Sequence, residues 1–224
     1  MNKAKIASMI ESVIDPYGKY YFLNNLKNND TILDVGCGNV TYKYVEQLNS
    51  KLKYTGVDIV SDYFEDSSYY KLNFIHFVKP NDFTSYLVNM PSQYSVVLSI
   101  HNIEHCFNPE IIWQTMLEKL ELNGVLYLRT PSTISVNFPS RKGTLNFYDD
   151  KTHTKPIQFE QYLENLDKSK YEVVVYKDPY YGSKLSYLIG LVFEPVSVLL
   201  KKVLSKVTWH YWGFETLLVI KRIK

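Results

Sequence analysis

Cysteine is scarce: only Cys37 and Cys106 occur among 224 residues. Neither has a close Cys partner and no C-x-x-C occurs, which excludes a disulfide framework and a zinc ribbon. Net charge is nearly absent, since 25 basic and 23 acidic side chains leave +2. Such a chain has no broad electrostatic footprint for nucleic acid. It also lacks an N-P-P-Y-like motif for a flipped base, so nucleic acid is not an expected partner. The opening segment, MNKAKIASMIESVIDPYGKYY, lacks the apolar core of a signal peptide and reads as a short amphipathic helix. Long apolar runs are missing too. The most apolar stretch, residues 185–200, carries Glu194 and Pro195 and is shorter than the roughly 20 residues of a membrane-spanning helix. The expected compartment is the cytoplasm. Internal repeats and flexible linkers are absent.

What is present is an ordinary globular composition, 46% hydrophobic and 21% charged. It excludes disordered, collagenous and low-complexity classes. From residue 30 onward strand and helix patterns alternate. Residues 31–35 form a short apolar run ending in Gly36-Cys37-Gly38, and 41–48 have helical spacing through Tyr44, Val45 and Leu48. Residues 53–57, 74–78 and 94–100 read as further strands. Asn108-Pro109-Glu110 opens a helix, with Asn as N-cap and Pro at the first position. Its apolar face is Ile112, Trp113, Met116, Leu117 and Leu120, and Asn123-Gly124 is expected to end it. A fifth strand follows at 125–129. Phe159, Tyr162, Leu163 and Leu166 mark a helix, and strands six and seven fall at 172–176 and 215–220. This alternation predicts an α/β fold, a mainly parallel sheet with helices on both faces. Residues 179–213 make too long a connection between adjacent strands. They read as an apolar and basic insertion in a single domain spanning 1–224.

The most informative segment is Thr31-Ile32-Leu33-Asp34-Val35-Gly36-Cys37-Gly38, a strand running into a glycine turn and then a helix. Glycines there let the backbone approach a ligand. Asp58 ends the second strand, 20 residues past Gly38. That is about the spacing at which a carboxylate reaches ribose hydroxyls in a nucleotide-binding sheet. A dinucleotide fingerprint wants a third glycine where Thr41 stands. Asp34, just before the first glycine, would also repel a pyrophosphate. It suits a ligand carrying ammonium and sulfonium groups, so an NAD-dependent oxidoreductase is the weaker reading.

Asp34-Val35-Gly36-Cys37-Gly38, with Asp58, residues 99–105 and residues 122–131, resembles the class I S-adenosylmethionine-dependent methyltransferases. The resemblance covers roughly residues 15–176 plus the last strand. It implies a Rossmann-like seven-stranded sheet whose last strand is antiparallel. It also implies that Gly36 and Gly38 underlie the methionine part of S-adenosylmethionine, that Asp34 helps hold its amino group and that Asp58 accepts from both ribose hydroxyls. Asp82 is the implied adenine contact. Ser99 and His101, after the fourth strand, would line the cofactor and acceptor junction. The family usually has a third glycine where Val40 stands. A displaced first helix would favour a catalytically silent binding module instead.

His101-Asn102-Ile103-Glu104-His105 matches H-x-x-E-H, a metalloprotease zinc motif. That chemistry needs both histidines on one face of a helix. Here they follow directly from a strand, and a third ligand is unmarked, so no metal is expected. The same residues resemble the E-H segment of small-molecule methyltransferases, with His105 shaping the acceptor side. Phe147–Pro156 resembles the D-x-T-H-x-x-P segment of methyltransferases that modify sugars and surface glycans. Within it His153 is the expected general base, oriented by Asp150 or Asp149. A neutral imidazole takes a hydroxyl proton as the carbon–oxygen bond forms. The alternative is that His153 pins its loop through a backbone hydrogen bond. Arg129-Thr130-Pro131 resembles a segment bordering the family's active site. Arg129 would then meet a phosphate or carboxylate of the acceptor, or pair with an acid of its own chain.

The expected function is methyl transfer from S-adenosylmethionine to a small-molecule acceptor, a hydroxyl of a sugar or glycan intermediate. The late insertion reads in two ways. It is a helical lid or homodimer surface, or, with Lys201, Lys202 and Trp209 flanking its apolar run, a peripheral membrane contact through 185–212.

Overall fold

The computed structural model describes residues 3–48, 51–59, 74–90 and 93–224. Its strands are β1 (Thr31–Val35), β2 (Lys53–Ile59), β3 (Ile75–Val78), β4 (Tyr94–Ile100), β5 (Leu120–Pro131), β6 (Tyr171–Tyr180) and β7 (Glu215–Arg222). They form one seven-stranded sheet in the order β3-β2-β1-β4-β5-β7-β6. Neighbours pair in parallel from β3 through β5, while β7 is antiparallel to both β5 and β6. The expected α/β architecture with an antiparallel last strand is what the structure has.

The helices are α1 (Lys3–Ile14), α2 (Lys19–Asn24), α3 (Thr41–Leu48), α4 (Phe83–Asn89), α5 (Pro109–Glu118), α6 (Phe159–Glu164), α7 (Lys184–Leu200) and α8 (Ser205–Trp212). Successive strand residues point to opposite faces, and both faces are covered. Leu33 and Val35 join Val57, Trp113, Met116 and Phe159 in one core. Ile32 joins Leu23, Tyr44, Val45 and Tyr127 in the other. That is why Ile32 and Leu33 are both apolar rather than alternating with polar residues.

Three expectations are corrected. The opening segment forms two helices, α1 and α2, not one. The helix from Pro109 ends at Glu118, and Asn123-Gly124 lies inside β5 rather than after a helix. Asn123 sits at φ 66°, and pairing with β4 shifts register between Tyr94 and Val96. The left-handed residue therefore serves a strand irregularity. The late insertion is a helix pair, α7 and α8. Gly190 brings them together, since a Cβ there would lie 2.4 Å from the Val207 carbonyl oxygen. Arg141 holds α7 from the other side, donating to Glu194 at 2.6 and 2.9 Å and to Ser197 at 2.7 Å. The outward face of α7 is uncovered, with Leu188, Leu191, Val192 and Leu199 exposed, so α7 is not a lid folded onto its own apolar face. No helix of the described residues is long and apolar enough to cross a membrane.

Candidate functional site

A cleft of about 940 Å³ opens beyond the carboxyl ends of β1, β2 and β4, where ligands of open α/β sheets sit. Asp34, Gly36, Gly38 and Asp58 line it, together with His105, Asp150 and His153.

The glycine turn is built from both ends. Gly36 and Gly38 stand at φ 73° and 55°, where a side chain is strained. A Cβ on Gly36 would strike the Asn102 side chain at 2.4 Å, whereas one on Gly38 would meet nothing within 4 Å. The Gly38 backbone therefore faces open cleft. Asp58 fastens the turn, as its carboxylate accepts from Gly38 N and Ile59 N at 2.7 Å each. Each oxygen keeps a further lone pair for a ligand. α3 begins directly after Val40, which is 51% exposed at the cleft rim. The turn forms with Val40 in the place of the usual glycine.

Asp34 is buried and accepts from Tyr54 Oη at 2.7 Å. Burial raises its carboxyl to about 6, against the lowering effect of Tyr54 and of the nearby Lys19. Lys19 opens α2, lines the cleft and reaches Thr41 Oγ1 at 3.3 Å. Burial lowers its ammonium below the usual lysine value. The pair offers one anionic and one cationic group on the same wall. Lys19 is absent from the sequence reading. Its only signal there is an isolated basic residue before the first strand. Asn102 adds a buried Nδ2 with no hydrogen-bond partner, a spare donor on the lining.

Several expected residues lie elsewhere. Asp82 is exposed in the turn before α4, and the cleft wall there is Pro80, Phe83 and Thr84. Ser99 is fully buried in β4, beneath the cleft, with no partner for Oγ. Pro131 is buried where β5 pairs with Glu215 of β7. Arg129 is 2% exposed. Its guanidinium meets Asp15 and Glu215 at 2.8 Å each and the Tyr17 carbonyl at 2.9 Å. Its partners are acids of its own chain, and it does not reach the cleft.

The histidines divide into two roles. His101 stands at φ 51°. Its Nε2 lies 3.0 Å from Glu215 and its Nδ1 3.4 Å from Glu104. Despite burial, these carboxylates raise it to about 9, so it is cationic at neutral pH and unsuited to act as a base. His153 is held by the Phe147 carbonyl, 2.5 Å from Nδ1, not by Asp150. Asp150 instead accepts from Thr152 N and Oγ1, and Thr152 Oγ1 lies 2.8 Å from His105 Nδ1. Asp149 accepts from the backbone of Arg141, Leu145 and Asn146. The His105 and His153 rings meet with centroids 4.7 Å apart.

No protein-family model matches the sequence, and no curated protein does. Solved structures do match in fold. An S-adenosylmethionine-dependent methyltransferase from Mesorhizobium loti is 13% identical, with 91% of this chain and 97% of that chain covered at a TM-score of 0.57. The plantazolicin methyltransferase BpumL, solved in complex with SAH, is 17% identical, with 99% and 86% covered at 0.57. A SAM-dependent methyltransferase from Archaeoglobus fulgidus is 19% identical, with 98% and 94% covered at 0.52. The chain has the fold of these methyltransferases.

Proposed function

We propose that this chain transfers a methyl group from S-adenosylmethionine to a hydroxyl of a small molecule, a sugar or glycan intermediate. The observation that carries the reading is that one cleft gathers Asp34 with Lys19, the open turn at Gly38, Asp58 and two histidines. Asp34 and Lys19 match an amino acid's ammonium and carboxylate. Asp58 offers lone pairs to two ribose hydroxyls, and Ile59 and Phe83 flank an adenine. S-adenosylmethionine supplies an already activated methyl group. The chain then needs only to align the acceptor and take its proton. His153 fits that task, because a carbonyl can only accept. With Nδ1 donating to Phe147, a neutral ring keeps its lone pair on Nε2.

Calorimetric titration with S-adenosylhomocysteine (SAH), beside NADH, tests the cofactor. Micromolar binding of SAH and none of NADH is expected, and the reverse overturns the reading. Methyl transfer to a panel of sugars and sugar nucleotides then tests the acceptor class.

The raised Asp34 carboxyl adds a pH signature. Its charged form attracts the ligand ammonium and is lost below about pH 6. SAH affinity is expected to fall about tenfold between pH 7 and pH 5. Asp34→Asn should bind weakly at both and show no step. A wild-type affinity flat across that range would remove Asp34 from the ammonium site.

The uncovered face of α7 supports a second proposal: it meets an anionic lipid surface, where a lipid-linked glycan acceptor would reside. Lys184, Lys201 and Lys202 are exposed at its two ends, and its one acid, Glu194, is engaged by Arg141. Exposed apolar surface rimmed by basic groups suits an anionic interface. The protein is expected to sediment with phosphatidylglycerol vesicles and not with phosphatidylcholine ones, and Leu191→Glu/Val192→Glu should abolish this. A stable dimer in solution with no vesicle binding would show that a second copy covers the face instead.

A further inference from the structure

We propose that Glu104, His105 and His153 bind a divalent transition-metal ion at the acceptor end of the cleft. Their ligand atoms all lie within 4.8 Å of one another. This is not the helical arrangement of the H-x-x-E-H motif. Two ligands come from the turn after β4 and the third from a loop almost fifty residues on. His101 is left out, because both its ring nitrogens face carboxylates.

The hydrogen bonds fix which nitrogen each ligand presents. For His153, Nδ1 donates to the Phe147 carbonyl. For His105, the partner is Thr152 Oγ1 at 2.8 Å. The one hydroxyl proton of Thr152 is given to Asp150 Oδ1 at 2.6 Å. Thr152 Oγ1 therefore accepts from His105 Nδ1. In the neutral form of each ring the lone pair then lies on Nε2. A carbonyl behind one histidine and a hydroxyl–carboxylate relay behind the other are the outer-shell partners that orient metal-binding imidazoles. Glu104 is fully buried; its Oε1 makes no hydrogen bond and lies 3.4 Å from His101 Nδ1, while Oε2 accepts from Thr130 at 2.9 Å. The two segments are also tied together, since Thr154 N and Oγ1 both donate to the Glu104 carbonyl at 2.9 Å.

Two imidazole nitrogens and a carboxylate suit zinc, cobalt or manganese, and three protein ligands leave a position open. The cleft lies on the histidine side, so that position faces the acceptor. The ion's part in catalysis rests on the methyltransferase reading; its binding does not. With an ion in place His153 becomes a ligand rather than the base. The acceptor hydroxyl, made more acidic by the ion, gives its proton to solvent. Its oxygen bonds to the methyl carbon as the sulfur–carbon bond breaks, and the electron pair stays on sulfur.

The test uses the whole chain, stripped with chelator and titrated with Zn²⁺, then with Co²⁺ followed by its visible absorption. One ion per chain is expected at micromolar affinity or tighter. His153→Gln and His105→Gln should each weaken it by about 100-fold. SAH titrations on the same samples report folding and separate the two readings. SAH binding without stoichiometric metal overturns the metal site and leaves the methyltransferase reading standing. Metal binding undiminished in both variants also overturns it, since the ion then sits elsewhere. Metal without SAH binding keeps the site and removes its proposed role in methyl transfer.

Discussion

Asp58→Ala is expected to weaken SAH binding at least about 100-fold while the chain stays folded. Two effects add. The carboxylate offers charge-assisted bonds to two ribose hydroxyls, each about 1.5–3 kcal/mol. It also receives Gly38 N and Ile59 N, so its loss frees the turn that must lie under the methionine part. Asp58→Asn separates these effects. An amide keeps one acceptor oxygen and is expected to fall between wild type and Asp58→Ala. Calorimetry gives the affinities, and thermal unfolding confirms that the fold persists. An Asp58→Ala affinity within threefold of wild type would take the ribose out of this site and the cofactor assignment with it.

Arg129→Met is expected to cost the fold about 3–5 kcal/mol, because it strands two buried carboxylates. For a chain of this size that lowers the melting temperature by roughly 6–20 °C. Arg129 is the hub of a buried network that joins β5, β7 and the residue after α1 through Asp15 and Glu215. Lys206 and His210 also face Asp15, and His101 faces Glu215. Despite burial, Arg129 and His101 hold Glu215 at about 2, and contacts with His210, Arg129 and Lys206 hold Asp15 below the ordinary carboxylate range. Depressed carboxylates stabilise the fold above their unfolded pKa and lose that contribution as pH falls through the folded one. Wild type should therefore lose stability steeply between about pH 4.5 and pH 2, and Arg129→Met less steeply from a lower start. Denaturant melts at a series of pH values measure both. A variant as stable as wild type at pH 7 would deny the network its role.

The contrast between these two residues shows what a sequence makes legible. Asp58, Gly36 and Gly38 sit in a local pattern, a strand, a tight turn and a fixed spacing, and the structure puts them on one cleft. The strands were legible because both faces of the sheet are covered, which leaves apolar runs such as 94–100. Arg129 lay in an equally suggestive place, but its partners are 86 and 114 residues away. No local pattern records them. Lys19 was missed for the same reason, since only the fold carries the start of α2 to the wall of Asp34. Asp82 failed differently: one residue along a tight turn decides whether a side chain faces cleft or solvent. Asn123-Gly124 misled because a left-handed residue ends helices and also kinks strands.

The placement of β7 bears on how the chain is made. It lies between β5 and β6 in the sheet, yet it is synthesised after both. Arg129 waits for Glu215 through 86 residues of translation, roughly 4–17 s at ribosomal speed. Throughout that interval β5 presents a bare edge, and β6, once made, has no partner strand, the form in which strands pair wrongly with other chains. The sheet closes by inserting β7 between two strands made before it. The nascent protein is therefore most in need of a chaperone just before residues 215–222 emerge.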